Sequence, residues 1–250
     1  MVMGKDGQKL SKRHGATSVR EFRKAGYLPE AIINYVSLIG WSYDDKRQFF
    51  TREELEELFS LDKLNKSPGV FDYKKLDWFN GQYNRQKSDE EVRGLVLPYL
   101  QEAGIVHDPP TPNEEKTIQG LVPLIKERMK TLSESVELSR FLFLDVEEYD
   151  INQLIPKKLN AEKTLEITET VAGLLDGFAQ RSDEENEEMF REAAEKLDVK
   201  LGSLLMPLRV AVTGSPVSPP LFGAIRLLGV EKTKERVVRV IGLLKESLPQ

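Results

Sequence analysis

At Ser18-x-x-Glu21, Thr51-x-x-Glu54, Ser88-x-x-Glu91 and Ser182-x-x-Glu185 a serine or threonine is followed, three residues later, by glutamate. In this pattern the hydroxyl accepts from the backbone N–H of the third helical residue. The glutamate reaches back to the N–H of the capping residue, so each pair marks a helix start. Phe50 and Leu55 flank Thr51 at the two positions of a hydrophobic staple. Pro29 suits a first helical turn, and Gly40 and Gly104 suit the C′ position that closes a helix. Apolar residues then recur at helical spacing: Val92, Leu95, Val96, Tyr99; Ile118, Leu121, Val122, Ile125, Met129; Val171, Leu174, Leu175, Phe178. Few stretches alternate as strands do. The expected fold class is mainly α, with minor β before residue 80.

The 250 residues suit one large domain or two to three small ones, and 40% of them are hydrophobic against 31% charged. No cysteine is present, which excludes disulfides and thiolate zinc sites. Two histidines, His14 and His107, are too few for a His-based metal cluster, so no metal site and no zinc are expected. No apolar run approaches the ~20 residues that span a bilayer. The first residues, MVMGKDGQ, contain no apolar signal core. A cytoplasmic protein with no membrane partner is expected. Two breaks interrupt the helical pattern. His107–Glu115 is rich in proline and reads as a loop inside a helical module or as a linker. Asp150–Glu162 reads as a module boundary.

Net charge is −5, which argues mildly against nucleic acid, but the charge is uneven. Residues 1–30 hold seven Lys and Arg against three acids; residues 201–245 hold seven against two; the stretch 181–198 is acidic. A basic footprint at each end fits an elongated polyanion touched at two places. The alternative is that these runs solvate helix faces.

Two stretches carry chemistry. In Gly7–Gly15, GQKLSKRHG, Lys9 and Lys12 flank Ser11 between glycines. Two ammonium groups on such a loop can close over nucleotide phosphates, and a solvated basic loop is the alternative. In Leu204–Gly229, LMPLRVAVTGSPVSPPLFGAIRLLG, the residues read as a helix interrupted near Pro207, a Gly/Ser/Pro loop, and a short helix entered after Pro220. Arg209 can stack on or pair with a base, and Leu221 and Phe222 offer apolar contact. Phe222, Leu227 and Leu228 read better as core. The aromatic residues Phe71, Tyr73, Trp78, Phe79 and Tyr83 recur at near-helical spacing and also read as core rather than as a base-stacking platform.

The run GKDGQKLSKRHGATSVREFRKAGYLPEAIINYVSLIGWS, from Gly4, resembles the KMSKS loop and following helices of class I glutamyl-tRNA synthetases. The likeness continues through FTREELEELFSLDKLNKSPGVFDYKKLDWFNGQY, where the family pattern is SPAxFDxxKLxWxNxxY and Gly69 replaces its alanine. It reaches Leu204–Gly229 as the family's C-terminal anticodon-binding module. The resemblance implies a KMSKS remnant at 1–15, a stem-contact fold at 16–86, and helical anticodon-binding modules at 87–155 and 156–250, in an elongated monomer. It implies that Lys9 and Lys12 serve the phosphates of ATP, with Mg²⁺, in a parent ligase that attaches glutamate to its tRNA. Positions matching Arg209, Ser218, Pro219 and Leu221 contact anticodon bases in the family. Arg128 faces a third base or is a solvated helix residue. Glutamine tRNA stays open as a second partner. Lys74 and Lys75 are candidate phosphate contacts at the inner corner of the acceptor stem. The family's catalytic domain carries a HIGH-type motif that these residues do not hold. The chain is therefore expected to be the tRNA-recognition part, lacking that domain, binding no cofactor and inactive alone. A stand-alone RNA-binding module and a helical protein-interaction scaffold are the rival readings.

Overall fold

The computed structural model describes residues 1–15, 18–44 and 46–248. Among them are thirteen α-helices and two short strands. The chain divides into two compact units, Met1–Gly104 with Ile125–Val136 and Ile105–Leu124 with Glu137–Gln250.

In the first unit β1 (Val2–Met3) pairs in parallel with β2 (Gly69–Val70), the minor β expected before residue 80. The helices are α1 (Val19–Ala25), α2 (Pro29–Ser37), α3 (Arg52–Leu58), α4 (Tyr73–Gln86) and α5 (Asp89–Glu102). The caps form as the sequence dictates: Glu21 N donates to Ser18 Oγ at 3.2 Å and Ser18 N to Glu21 Oε2 at 3.0 Å. Thr51 and Ser88 make the same reciprocal pair at α3 and α5. Phe50 and Leu55 are buried with Trp41, which completes the staple. Gly104 directly follows the cap of α5 with φ 68°, whereas Gly40, with φ 91°, lies one residue beyond the C′ position of α2.

The core of this unit gathers Phe22, Tyr35, Phe71, Leu76 and Phe79, with Tyr73 and Tyr83 packed against it. Trp78 departs from the expected core. It is 47% exposed, its ring lying 5.1 Å from Phe49 and 5.2 Å from Phe79. Leu76, Phe79, Asn80 and Tyr83 take the inner stripe of α4, and helical geometry turns position 78 away from it. Gly26 ends α1 at φ 86°, and a Cβ there would stand 2.5 Å from Ser133 N. That close approach lets Leu132 N donate to Gly26 O at 2.9 Å and Ser133 Oγ to Ala25 O at 2.7 Å.

The second unit takes most of α6 (Pro112–Lys126) and α7 (Glu134–Phe143), then α8 (Ile151–Leu154), α9 (Ala161–Leu174) and α10 (Asp183–Lys196). It closes with α11 (Leu201–Thr213), α12 (Leu221–Leu228) and α13 (Val230–Glu246). Ser182 forms the capping box expected at the start of α10, and Thr111 and Glu114 form another at α6. α11 packs against α8, α9, α10, α12 and α13, so its Leu204, Leu208, Val210, Ala211 and Val212 are fully buried. α11 runs unbroken through Pro207, where the sequence reading expects an interruption. Pro207 is buried, and its missing N–H strands only the carbonyl of Ser203, a half-buried residue. Burial of the surrounding apolar surface outweighs that single lost bond.

α6 and α12 lock by a reciprocal fit. A Cβ on Gly120 would meet Leu227 Cδ2 at 2.5 Å, and one on Gly223 would meet Leu124 Cδ2 at 2.7 Å. Each helix offers a glycine to receive the other's leucine. This seats the N-terminal end of α12, and with it the loop that precedes it.

Candidate nucleic-acid interface

The N-terminal loop is folded around His14. Ser11 N donates to His14 Nδ1 at 3.0 Å, and His14 Nε2 lies 3.0 Å from Asp6 Oδ2 on the other side of the ring. A backbone bond from Gln8, then the bond from His14, hold the Asp6 carboxyl below its ordinary value. Lys9 joins Met3 in a backbone bridge, and its side chain is exposed with no ion pair among the described residues. Lys12 opens a 3₁₀ turn, Lys12–His14; its side chain lies outside the described residues.

Lys74 and Lys75 stand exposed in the first turn of α4, and Asp72 accepts from their backbone N–H groups at 2.9 and 3.4 Å. Lys75 Nζ lies 5.9 Å from the Phe79 ring centroid. Arg128 is not a helix residue. α6 ends at Lys126, and Arg128 is exposed in the turn that follows. The cause lies on α4. Buried Asn80 donates to Lys130 O at 2.5 Å, buried Asn84 reaches Met129 O and Lys130 O at 3.5 Å, and Arg85 donates to Glu127 O at 3.3 Å. These side chains satisfy the carbonyls that another helical turn would have used. Arg128 therefore rides on a fixed turn.

In the second unit Arg209 projects from α11 onto the loop that follows. Its guanidinium donates to Ser218 Oγ and to Pro219 O at 3.2 Å. The structure thus brings together three of the four residues expected at the anticodon, while Leu221 opens α12 beside them. Ser218, Pro219 and Leu221 are buried; the exposed loop residues are Pro216, Val217 and Pro220. Val217 is 71% exposed, an apolar side chain at the loop tip that the sequence reading passes over. Its one signal is a valine standing alone in a Gly/Ser/Pro stretch.

The end of α11 is held from below. Tyr149 OH donates to Ala211 O at 2.9 Å, and Arg236 of α13 donates to Val212 O. Arg236 is 1% exposed; it also donates to Phe141 O at 3.0 Å and Leu144 O at 3.3 Å, and pairs with Asp145 at 3.2 Å. Its Nε is buried without a hydrogen-bond partner among the described residues. Burial pushes the Arg236 pKa down from its ordinary value. Arg239, first through its hydrogen bond, with Lys232 and Arg236, holds the Asp145 carboxyl down at about 2. The sequence reading counts Arg236 and Arg239 as a basic footprint. They are spent inside the fold, and they have company: Arg226 pairs with Asp183 at 2.8 Å, Lys232 with Asp145 at 3.5 Å, Lys234 with Asp176 at 2.8 Å and Lys245 with Glu169 at 2.8 Å.

Among the described residues no group of three or more His, Cys, Asp or Glu could hold a metal ion, and no helix is long and apolar enough to cross a membrane.

A family model described as anticodon binding domain matches residues 91–241, and one described as tRNA synthetases class I (E and Q), catalytic domain, matches residues 1–78. The chain is 49% identical over 237 residues to a glutamate–tRNA ligase of Borreliella burgdorferi, covering 95% of this chain and 48% of that protein. It is 44% identical over 260 residues to a glutamate–tRNA ligase of Treponema denticola, covering 96% and 51%. The chain spans about half the length of the curated relatives it matches. A crystal structure of a glutamate tRNA ligase from Elizabethkingia meningosepticum, in complex with its amino acid, superposes with a TM-score of 0.70 at 25% identity, covering 98% of this chain and 50% of that one.

Proposed function

The chain belongs to the anticodon-binding domain family, and on that footing we propose that it is the tRNA-recognition part of a glutamate–tRNA ligase, working in the cytoplasm as a monomer. The observation that carries the proposal is the loop after α11, a shaped surface where half-buried Arg209 is bonded to buried Ser218 and Pro219 and Val217 is exposed at the tip. Specific RNA reading favours unstacked bases in single-stranded loops, and such a surface offers a planar cation, backbone carbonyls and an apolar contact to them. Arg209, Ser218, Pro219 and Leu221 are the proposed anticodon residues, with Val217 added and Arg128 reading a further base. Lys74 and Lys75 take phosphates, which position the RNA without specifying it.

The proposal divides the chain into a KMSKS stretch at 1–15, a stem-contact part at 16–86 and anticodon modules at 87–155 and 156–250. Toward ATP, Lys9 fits a phosphate contact, being exposed and without an ion pair among the described residues, and Lys12 is its proposed partner. ATP with Mg²⁺ supplies the activation of glutamate, and preplaced cations favour the charge that develops on its phosphates. The 250 residues contain no HIGH-type motif and are expected to show no ATP–pyrophosphate exchange alone. Exchange by the purified chain would overturn that expectation.

The scaffold reading draws on one observation, the internal pairing of the C-terminal cations, which leaves little free basic surface there. Titration against glutamate tRNA at two salt concentrations separates the readings. Salt-dependent binding is expected of the RNA reader, and its absence returns the scaffold. Arg209→Ala is expected to weaken binding of the glutamate anticodon by ~1–3 kcal/mol, with a smaller loss for unrelated anticodons. An equal loss for all would make Arg209 a phosphate contact. The same titration with glutamine tRNA decides whether that tRNA is a second partner.

A further inference from the structure

The first unit carries a groove of about 910 Å³ between α1, α2 and α5, unused by any residue proposed above. Its walls are largely apolar: Ile32 and Ile33 from α2, Leu95, Pro98 and Tyr99 from α5, and Val19 at its mouth. Val19 is 78% exposed and Ile33 45%. Tyr99 OH donates to Arg23 O at 2.8 Å and ties α5 to the last turn of α1, so the groove is built into the fold.

Two features bear on what the groove can hold. The first is on α5. Gly94 and Pro98 both line the groove and both sit inside the helix, where neither residue favours helix formation. A Cβ on Gly94 would meet nothing within 4 Å, so the glycine serves no contact within the chain. Pro98 has no N–H, and the carbonyl of Gly94, four residues earlier, is left without its helical donor. α5 thus presents bare backbone to the groove at Gly94.

The second feature is charge. Arg20, Arg23 and Lys24 line the α1 side, and none has an ion pair among the described residues. The apolar walls suit a helix face rather than ribose and phosphate, which need polar partners along their length. We propose that this groove is a docking site for an amphipathic helix of a protein partner. Its apolar residues at i, i+3, i+4 and i+7 fill the groove, and an acidic flank lies along Arg20, Arg23 and Lys24. A volume near the upper end of the ~300–1,000 Å³ seen for binding clefts holds such a row of side chains.

The test uses the 250-residue chain and a labelled helical peptide with leucine at i, i+3, i+4 and i+7 and glutamate along one flank, read by fluorescence anisotropy. The same peptide with lysine on that flank, and a short RNA duplex, are measured beside it. The glutamate peptide is expected to bind roughly tenfold more tightly than the lysine peptide, the combined effect of three exposed ion pairs. Gly94→Leu, which fills the groove from an exposed helical position with free space, is expected to abolish peptide binding while leaving the circular dichroism unchanged. The combined variant R20E, R23E, K24E is expected to reverse the preference between the two peptides. Equal affinity for both peptides, or binding unmoved by Gly94→Leu, would overturn the proposal. So would RNA-duplex binding lost in Gly94→Leu without any peptide binding, which makes the groove a nucleic-acid surface. A dimer dissolved by Gly94→Leu in sedimentation, again without peptide binding, would overturn it in favour of a second copy.

Discussion

The two basic stretches look alike in sequence and behave differently in structure. Between residues 201 and 245, Arg226, Lys232, Lys234, Arg236, Arg239 and Lys245 all meet carboxylates of the same unit. On α1, Arg20, Arg23 and Lys24 meet none among the described residues. A count of lysines and arginines therefore measures composition and not the potential a partner feels. In the second unit these six cations are structural, and the proposed reading of RNA falls to a shaped loop. In the first unit Lys5 and Arg13 pair with Asp72 and Asp6, while the three cations of α1 are left for something that is not this chain.

The sharpest way to break this contrast is Arg236→Met. It leaves the carbonyls of Val212, Phe141 and Leu144 without their buried donor, and a loss of ~3–5 kcal/mol in urea unfolding is expected. A loss below about 1 kcal/mol would place Arg236 among ordinary surface cations. Acid gives a smaller effect. The Asp145 carboxyl sits at about 2 in the folded chain against an ordinary 3.8. Its contribution is complete above pH 3.8 and fades as pH falls through about 2. Asp145 is 44% exposed, so solvent screening keeps this contribution below about 1 kcal/mol. Glu114 acts the same way from a higher start: its contribution is complete above pH 4.5 and fades as pH falls through about 2. Burial pushes it up, but hydrogen bonds from Thr111 and His107 hold it at about 2. Asp145→Asn isolates the first group: its unfolding free energy should fall less steeply with acid than that of the unaltered chain. The smallest effect is expected on α1, where Arg20→Gln or Arg23→Gln should stay within ~0.5 kcal/mol in the same assay. A larger loss would mean that these cations have work inside the fold after all.

What the sequence made legible was local. The capping boxes at Ser18, Thr51, Ser88 and Ser182, the staple at Phe50 and Leu55, Pro29 in the first turn of α2 and the loop before α12 depend on residues within a turn of one another, and each formed as read. The departures are tertiary. Nothing near Pro207 announces that burial will carry a helix through it. Arg128 leaves the helix because side chains on α4, more than forty residues away, take the carbonyls around it. Arg236 lies in EKTKERVVRV, which reads as a solvated face, and only the fold reveals that Asp145 and three carbonyls face it. Of the candidate site, the cluster of Arg209, Ser218 and Pro219 was legible from motif likeness; the exposure of Val217 was not, because tip and base of a loop have the same composition.

The paired seats of Gly120 and Leu227, and of Gly223 and Leu124, carry a consequence for how this chain can change over generations. A methyl on either glycine would stand 2.5 or 2.7 Å from the far end of the facing leucine, so that leucine must turn aside or shorten. An enlargement on one helix is easiest beside a trimming on the other. These four positions are therefore expected to drift as two couples, because each change is felt at the start of α12 and in the loop before it.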